Sequence, residues 1–452
     1  MDLYSALPRA VDAERERWYI EEKSRSEMEE NAMTEQAAKR AAEKEARVRA
    51  AIELREGDRV PIHAAGSLFS IIQAGYTVAE VIYDETLEKA KDAETKYLLK
   101  YDPDIALSIY EKAGEGRAME LLDPKFMEWA GKKGTKISDN SLQQFIEFPI
   151  LLDEEFDKFF SDRTGWKIQN SMPKLAGLCK PMETLEIPLS HHGGILDLVD
   201  AFSTPDMRRM ISTFWEINDI YKKLRPLKAQ ASQAIRELGF PNFTGGKVCV
   251  PFDEYSDVLR GTLLSLTDLY ENPDVVQRFI DEYWPTVVES IKNLNRDGSR
   301  TGKMVYMTLH KGLDGFMSDE YYVKYYWRYL REIIELITEQ GMIPNVFCEG
   351  RYSTRLKHLV EVPKGKVIFK FENTPVEQVA QTLKGVACFT GCFSNTLLDY
   401  GTPAQVSDEV KRLIDLCAPG GGFIFQPNSN LALCRPENVE AMFETVKEYG
   451  RF

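Results

Sequence analysis

No stretch of this sequence approaches the ~18 consecutive apolar residues that a membrane-crossing helix requires, so the chain is expected not to span a bilayer. The N-terminus is polar and charged and lacks the apolar core of a secretory signal. The seven cysteines are odd in number, follow no repeated spacing and include no Cys-x-x-Cys pair. That usage fits free thiols in a reducing compartment and points to the cytoplasm. Positive charge is short as well, and the net charge is −14. Nucleic-acid binding, which needs a basic face to neutralise phosphates, is therefore disfavoured. There is no Walker loop, no Gly-x-Gly-x-x-Gly after a strand and no nucleophile elbow. Nucleotide binding and serine hydrolysis thus find no support.

What is present is ample material for a core, with 43% of the 452 residues hydrophobic. Residues 9–54 are rich in Ala, Glu, Lys and Arg, without glycine or proline. They predict one or two long helices. Their apolar positions (Trp18, Ile20, Met28, Met33, Val48, Ile52) are sparse, which suits a solvated arm or, alternatively, a homodimer contact. We therefore separate an N-terminal helical extension, 1–54, from a main domain, 55–452.

Eight short runs of strand character follow: 59–64, 104–110, 247–252, 304–309, 343–348, 366–371, 386–391 and 422–426. Helical stretches separate them, which implies a parallel sheet in an α/β fold. Eight repeats predict closure into a (β/α)8 TIM barrel. Thr374-Pro375-Val376-Glu377 reads as a capping box with proline at the first helical position, and Asn272-Pro273 and Thr402-Pro403 repeat the cap-then-proline pattern. Well over a hundred residues separate strands two and three. They hold helical segments near 151–162 and 204–238 and a possible hairpin near 126–138. A structureless loop of that size is implausible, so we expect a long excursion on the barrel.

Barrel chemistry sits just after each strand, where side chains enter the mouth. Those positions hold His63, Tyr110, Asp253, Glu254, His310, Cys348, Glu349, Glu372, Cys392 and Asn428. Two of only five histidines fall among them. Glu349 stands between a strand and the turn at Gly350, and His310 ends strand four; each could transfer a proton or bind a metal. Glu372 either faces the mouth or supports the next helix. Cys348 is either a ligand or simply buried. Cys388 and Cys392 share strand parity and should point alike. His191-His192 lies in the excursion and reads as a polar loop. The tyrosines 321, 322, 325, 326 and 329 read as the packing face of an outer helix.

Three segments carry a family resemblance: Pro251-Phe252-Asp253-Glu254-Tyr255-Ser256-Asp257-Val258-Leu259-Arg260-Gly261, the stretch His310–Ser318, and the tail from Gly401-Thr402-Pro403 through Gly420-Gly421-Gly422-Phe423-Ile424 to Pro436-Glu437-Asn438-Val439. Together they resemble the uroporphyrinogen decarboxylase superfamily over roughly residues 55–450. The resemblance implies an α/β barrel and either porphyrinogen decarboxylation or cobalamin-dependent methyl transfer. The decarboxylase branch has Ala-Gly-Arg-Tyr where this chain has Ala65-Gly66-Ser67-Leu68, and an acidic mouth would repel a polycarboxylate. The coenzyme M branch binds zinc through His-x-Cys and a later Cys, where this chain has Val346, Cys348 and the run Pro427–Asn430. What remains resembles the O-demethylase-like methyltransferases.

That resemblance implies transfer of a methyl group from a small methylated substrate, such as an aryl methyl ether, to the cobalamin of a separate corrinoid protein. The chain carries no Asp-x-His-x-x-Gly motif of its own. On this reading Glu349, His310 and Glu372 are catalytic, and His63, Tyr110, Asp253 and Asn428 bind substrate. Cys348, Glu349 and His310 form a candidate zinc set. A decarboxylase of a porphyrinogen or another acid, and a non-catalytic barrel, remain the alternatives.

Overall fold

The computed structural model describes residues 35–106, 108–187, 194–296, 298 and 300–452. Six parallel strands pair in sequence order: β3 (Thr244–Lys247), β4 (Met304–Leu309), β5 (Ile343–Cys348), β6 (Ile368–Phe371), β7 (Cys388–Phe393) and β8 (Gln426–Pro427). Helices connect them, and the wall curls as a barrel-like α/β sheet should. The runs expected at 59–64 and 104–110 continue it as single bridges, Ile62 to Phe425 and His63 to Ile105. Among the described residues no ladder joins the second run to β3. The excursion leaves the wall at that gap.

The third run lies further toward the N-terminus than its composition predicts. β3 ends at Lys247, and a short helix opens at Pro251, where the missing N–H costs nothing. Asp253 and Glu254 therefore sit in a first helical turn and not at a strand end. Among the expected caps, Thr402 forms a full capping box with Gln405. Thr374 does not: its hydroxyl accepts the Tyr352 N–H at 2.9 Å, and the helix begins at Val376. The Asn272 side chain donates instead to Asp268, at 2.9 Å.

Strand alternation sorts side chains into two sets. Met307, Leu309, Val346, Cys348, Phe369 and Phe371 join the core between wall and outer helices. Met304, Ile343, Ile368, Cys388 and Ile424 point the other way and gather with Ile105 at the N-terminal end of the lumen. Helix α1 (Glu35–Ile52) closes that floor with Val48, Ala51 and Ile52. The solvated-arm expectation thus fails for residues 35–52. Lys44 is buried and donates to the Pro103 carbonyl at 2.6 Å. Arg47 pairs with the fully buried Asp104, which also accepts from Arg59 Nη1 and the Ile62 N–H, each at 2.7 Å. Alanines and the aliphatic stems of charged side chains do the burying here, so the apolar pattern understates the contact. Trp18, Ile20, Met28 and Met33 lie outside the described residues.

The excursion carries an antiparallel pair, β1 (Met127–Glu128) with β2 (Gln144–Phe145), and the long helix α2 (Pro205–Glu237), capped by Thr204. Buried Arg260 ties it to the barrel, donating to the Leu151 carbonyl at 2.7 Å and to Asp153 and Asp268 at 2.6 Å. Tyr322, Tyr325, Tyr326 and Tyr329 are buried on an outer helix, as a packing face predicts.

Candidate active site

β4 and β5 pair in register through Leu309 and Cys348. The next residue on each strand, His310 and Glu349, therefore lie side by side, and both fall on the lumen side of the alternation. His310 Nε2 stands 3.4 Å from Glu349 Oε2. On its other edge, His310 Nδ1 meets the Asp257 carboxylate. Asp257 reaches this position on a helix that opens at Pro251 and widens into a π-helical stretch, Tyr255–Arg260. Such insertions re-aim side chains and recur at functional sites. Lys311 Nζ completes the group, 2.8 Å from Asp257.

The charges follow from this packing. The Asp257 hydrogen bond raises the His310 pKa above its ordinary value against the opposing effect of burial. Burial pushes Asp257 up, but the bonds and charges of His310 and Lys311 outweigh it and hold the carboxyl below the usual range. The imidazole is thus favoured as a cation, with Glu349 beside its second nitrogen.

Asp253 is 2% exposed. Its oxygens accept the His310 N–H at 3.2 Å, the Lys311 N–H at 2.9 Å and the Tyr326 hydroxyl. Burial and the Asp257 charge push it up to about 7, while these donors pull the other way. With its oxygens so engaged, Asp253 pins the loop after β4, and its expected place at the mouth as a substrate ligand is corrected accordingly. Tyr326 and Asp257 join the site without standing at a strand end, where the sequence places the candidates. Their signals were a tyrosine within a packing face and a second aspartate four residues after Asp253.

Cys348 faces away from Glu349, as adjacent strand residues must. It is fully buried beside Tyr322 and Tyr352, and burial holds the thiol well above its ordinary pKa. The expected zinc set of Cys348, Glu349 and His310 therefore does not converge. Among the described residues no three His, Cys, Asp or Glu side chains are grouped to hold a metal ion. Cys392 also departs from expectation. Gly391 and Cys392 both take positive φ, which breaks the alternation and packs the thiol against the core beside Cys417.

Glu372 lies near the mouth, its Oε2 accepting the Gly350 N–H at 2.8 Å, and so braces the turn after Glu349. Asn428 links three strand ends. Its Nδ2 donates to the Glu372 carbonyl at 3.2 Å, its Oδ1 accepts the Asn395 N–H at 3.1 Å, and its own N–H donates to Phe393. Tyr110 is not brought to this group. Its hydroxyl donates to Gln143 at 2.7 Å, and its ring packs on the excursion core. His63 lies on the lumen side of the first strand, where burial and then the Lys370 charge hold its pKa down to about 3, so it is a neutral imidazole. His191 and His192 lie outside the described residues.

A family model described as uroporphyrinogen decarboxylase (URO-D) matches residues 204–449, more than half of the sequence. The chain belongs to this family. The matched span holds α2, every strand from β3 to β8 and the whole His310 group. No curated protein matches the chain. A solved methyltransferase from Methanosarcina mazei shares the fold at a TM-score of 0.52 and 13% identity, over 89% of this chain and 98% of its own. Family membership accounts for the curled, barrel-like α/β fold.

Proposed function

We propose that the chain is a methyltransferase that takes a methyl group from a small methylated substrate, of the aryl methyl ether type, for delivery to a corrinoid on a separate protein. The observation that carries this reading is the clamp on His310, with Asp257 at Nδ1 and Glu349 at Nε2. An ether oxygen is a poor leaving group unless it is protonated or bound to a Lewis acid as the carbon–oxygen bond breaks. His310, favoured as the cation, holds a proton at the mouth where that oxygen would arrive. Glu349 orients the donor nitrogen, and Glu372 holds the turn beneath Glu349. As the bond breaks, the electron pair stays on oxygen, the His310 proton neutralises it, and the methyl group leaves toward the open mouth. The corrinoid, when bound, supplies the nucleophile.

The methyltransferase fold neighbour agrees with this reading. So does the acidic mouth of Asp257, Glu349 and Glu372, which would repel a porphyrinogen carrying several carboxylates. Lys311, which stands next to His310, is already paired with Asp257.

The test mixes the purified chain with methoxybenzene or 3-methoxybenzoate and free cob(I)alamin and follows the cob(I)alamin absorbance. Donor-dependent loss of that absorbance, abolished in His310→Ala, is expected. No loss with either donor, with a corrinoid carrier protein present or absent, would overturn the reading.

A further inference from the structure

Lys370 is a cation inside the lumen without a charged partner among the described residues. It lies between Phe369 and Phe371, whose rings pack outward into the core, so it shares a face with Ile368 at the floor and Glu372 at the mouth. It is 8% exposed. Among the described residues it makes no hydrogen bond or ion pair, and the Lys370 Nζ lies 4.3 Å from the centroid of the Phe347 ring. A buried ammonium normally finds a carboxylate, because a charge taken out of water without a partner is strongly unfavourable. Glu349 and Glu372 are close enough for their charges to act on it, yet each is engaged elsewhere: Glu349 beside His310, Glu372 at the Gly350 N–H. Neutral His63 faces the same space, and Thr390 and Gln426 are joined at 3.1 Å on the neighbouring strands. Burial holds the Lys370 pKa down to about 8, which still leaves most of the amine charged near neutrality.

We propose that Lys370, with His63 beside it, is a subsite for a single anionic group, and that the substrate is a small carboxylate whose methylated end reaches His310 and Glu349. This rests on the methyl-transfer reading for what happens at the mouth, though the subsite itself rests on the placement of Lys370 and His63 and not on that reading. Glu372 lies two residues beyond Lys370, about 7 Å along β6, so one small ring spans the two levels. Above the apolar floor the charges are ordered along the lumen: one cation at depth, carboxylates and an imidazolium at the mouth. It accepts one negative charge at depth and disfavours several at the mouth. The carboxylate supplies the charged partner that Lys370 lacks among the described residues, and Phe347 offers a ring face beside it.

Calorimetric binding of benzoate, 3-methoxybenzoate and methoxybenzene to the full chain, to Lys370→Met and to Lys370→Arg tests this. Methionine keeps the unbranched stem and removes the buried charge, so Lys370→Met is expected to remain folded, which a thermal melt checks. The two carboxylates should bind the wild-type chain, lose at least about tenfold in affinity in Lys370→Met, as a charged hydrogen bond is worth, and recover part of it in Lys370→Arg. Methoxybenzene should change less than twofold. Equal binding of 3-methoxybenzoate to the wild type and folded Lys370→Met would overturn the subsite, as would failure of both carboxylates to bind the wild-type chain. Should benzoate bind through Lys370 while no donor yields its methyl group, the subsite stands and the methyl-transfer reading falls. Should methoxybenzene be demethylated with wild-type efficiency by Lys370→Met and neither carboxylate bind, the reverse holds.

Discussion

His310 and Glu349 end adjacent parallel strands, and their side chains meet with Nε2 3.4 Å from Oε2. Register alone brings them together: Leu309 pairs with Cys348, and the following residue on each strand turns into the lumen. Both side chains stay part-exposed, at 39% and 47%, so they face a mouth that a substrate can enter. Replacing Glu349 with glutamine keeps the shape and removes the charge that orients the imidazole. Glu349→Gln is expected to lower turnover by more than roughly tenfold while leaving the thermal midpoint nearly unchanged. Single-turnover methyl transfer set beside a melt checks this; full activity would remove Glu349 from the mechanism.

The second expectation concerns pH. Asp257 raises the His310 pKa, so the imidazolium persists above the pH at which a free histidine loses its proton. A group raised on folding contributes stability that is fully present below its unfolded pKa and is lost as pH rises through the folded value. If His310 donates the proton, activity should fall along that same limb. Asp257→Asn should move the limb to lower pH. The pH profile of kcat/KM, together with an NMR titration of the His310 ring, reads both; an unmoved limb would mean that His310 is not the group titrating there.

Removing the Cys348 sulfur should not touch the chemistry. The thiol packs between Tyr322 and Tyr352 on the far side of β5. Cys348→Ala should cost about 1 kcal/mol of packing and leave methyl transfer within twofold and the metal content of the purified protein unchanged. A loss of bound zinc in this variant would contradict the placement.

At the floor, Asp104 is fully buried between Arg47 of α1 and Arg59. Asp104→Ala leaves the largely buried Arg59 guanidinium without a carboxylate, leaves Arg47 with Asp58 alone, and also frees the Ile62 N–H. Removing one partner of such a group costs about 3–5 kcal/mol. Urea unfolding should show that loss; unchanged stability would mean that α1 does not depend on this charge for docking.

The excursion hangs on Arg260, which binds Asp268 and the Leu151 carbonyl while fully buried. Arg260→Met should again cost about 3–5 kcal/mol. It should also open the chain near residue 151 to limited proteolysis before the barrel unfolds. Equal protease resistance in both proteins would show that the excursion is held by other contacts.

Much of this protein was determined by its sequence alone. Alternating strands and helices, read from local periodicity, determined a curled parallel wall, and the positions after β4 and β5 marked His310 and Glu349. These are local properties: a strand shows its parity, and a helix its cap, within a few residues. Thr402 with Gln405 is such a case. The tertiary structure decided the rest, because it depends on which distant segments meet. The run at 247–252 divided into β3 and a helix opening at Pro251, and that shift carried Asp253 beneath the loop and Asp257 onto His310. Two positive φ values turned Cys392 out of a parity that its spacing implied. Helix α1 looked solvated because alanines and lysine stems bury without an apolar signature, and packing against the floor settled it. Lys370 carries no local signal of its role, being one charged residue between two phenylalanines. Only the curled wall, with both nearby carboxylates engaged elsewhere, left its charge in the lumen without a charged partner among the described residues.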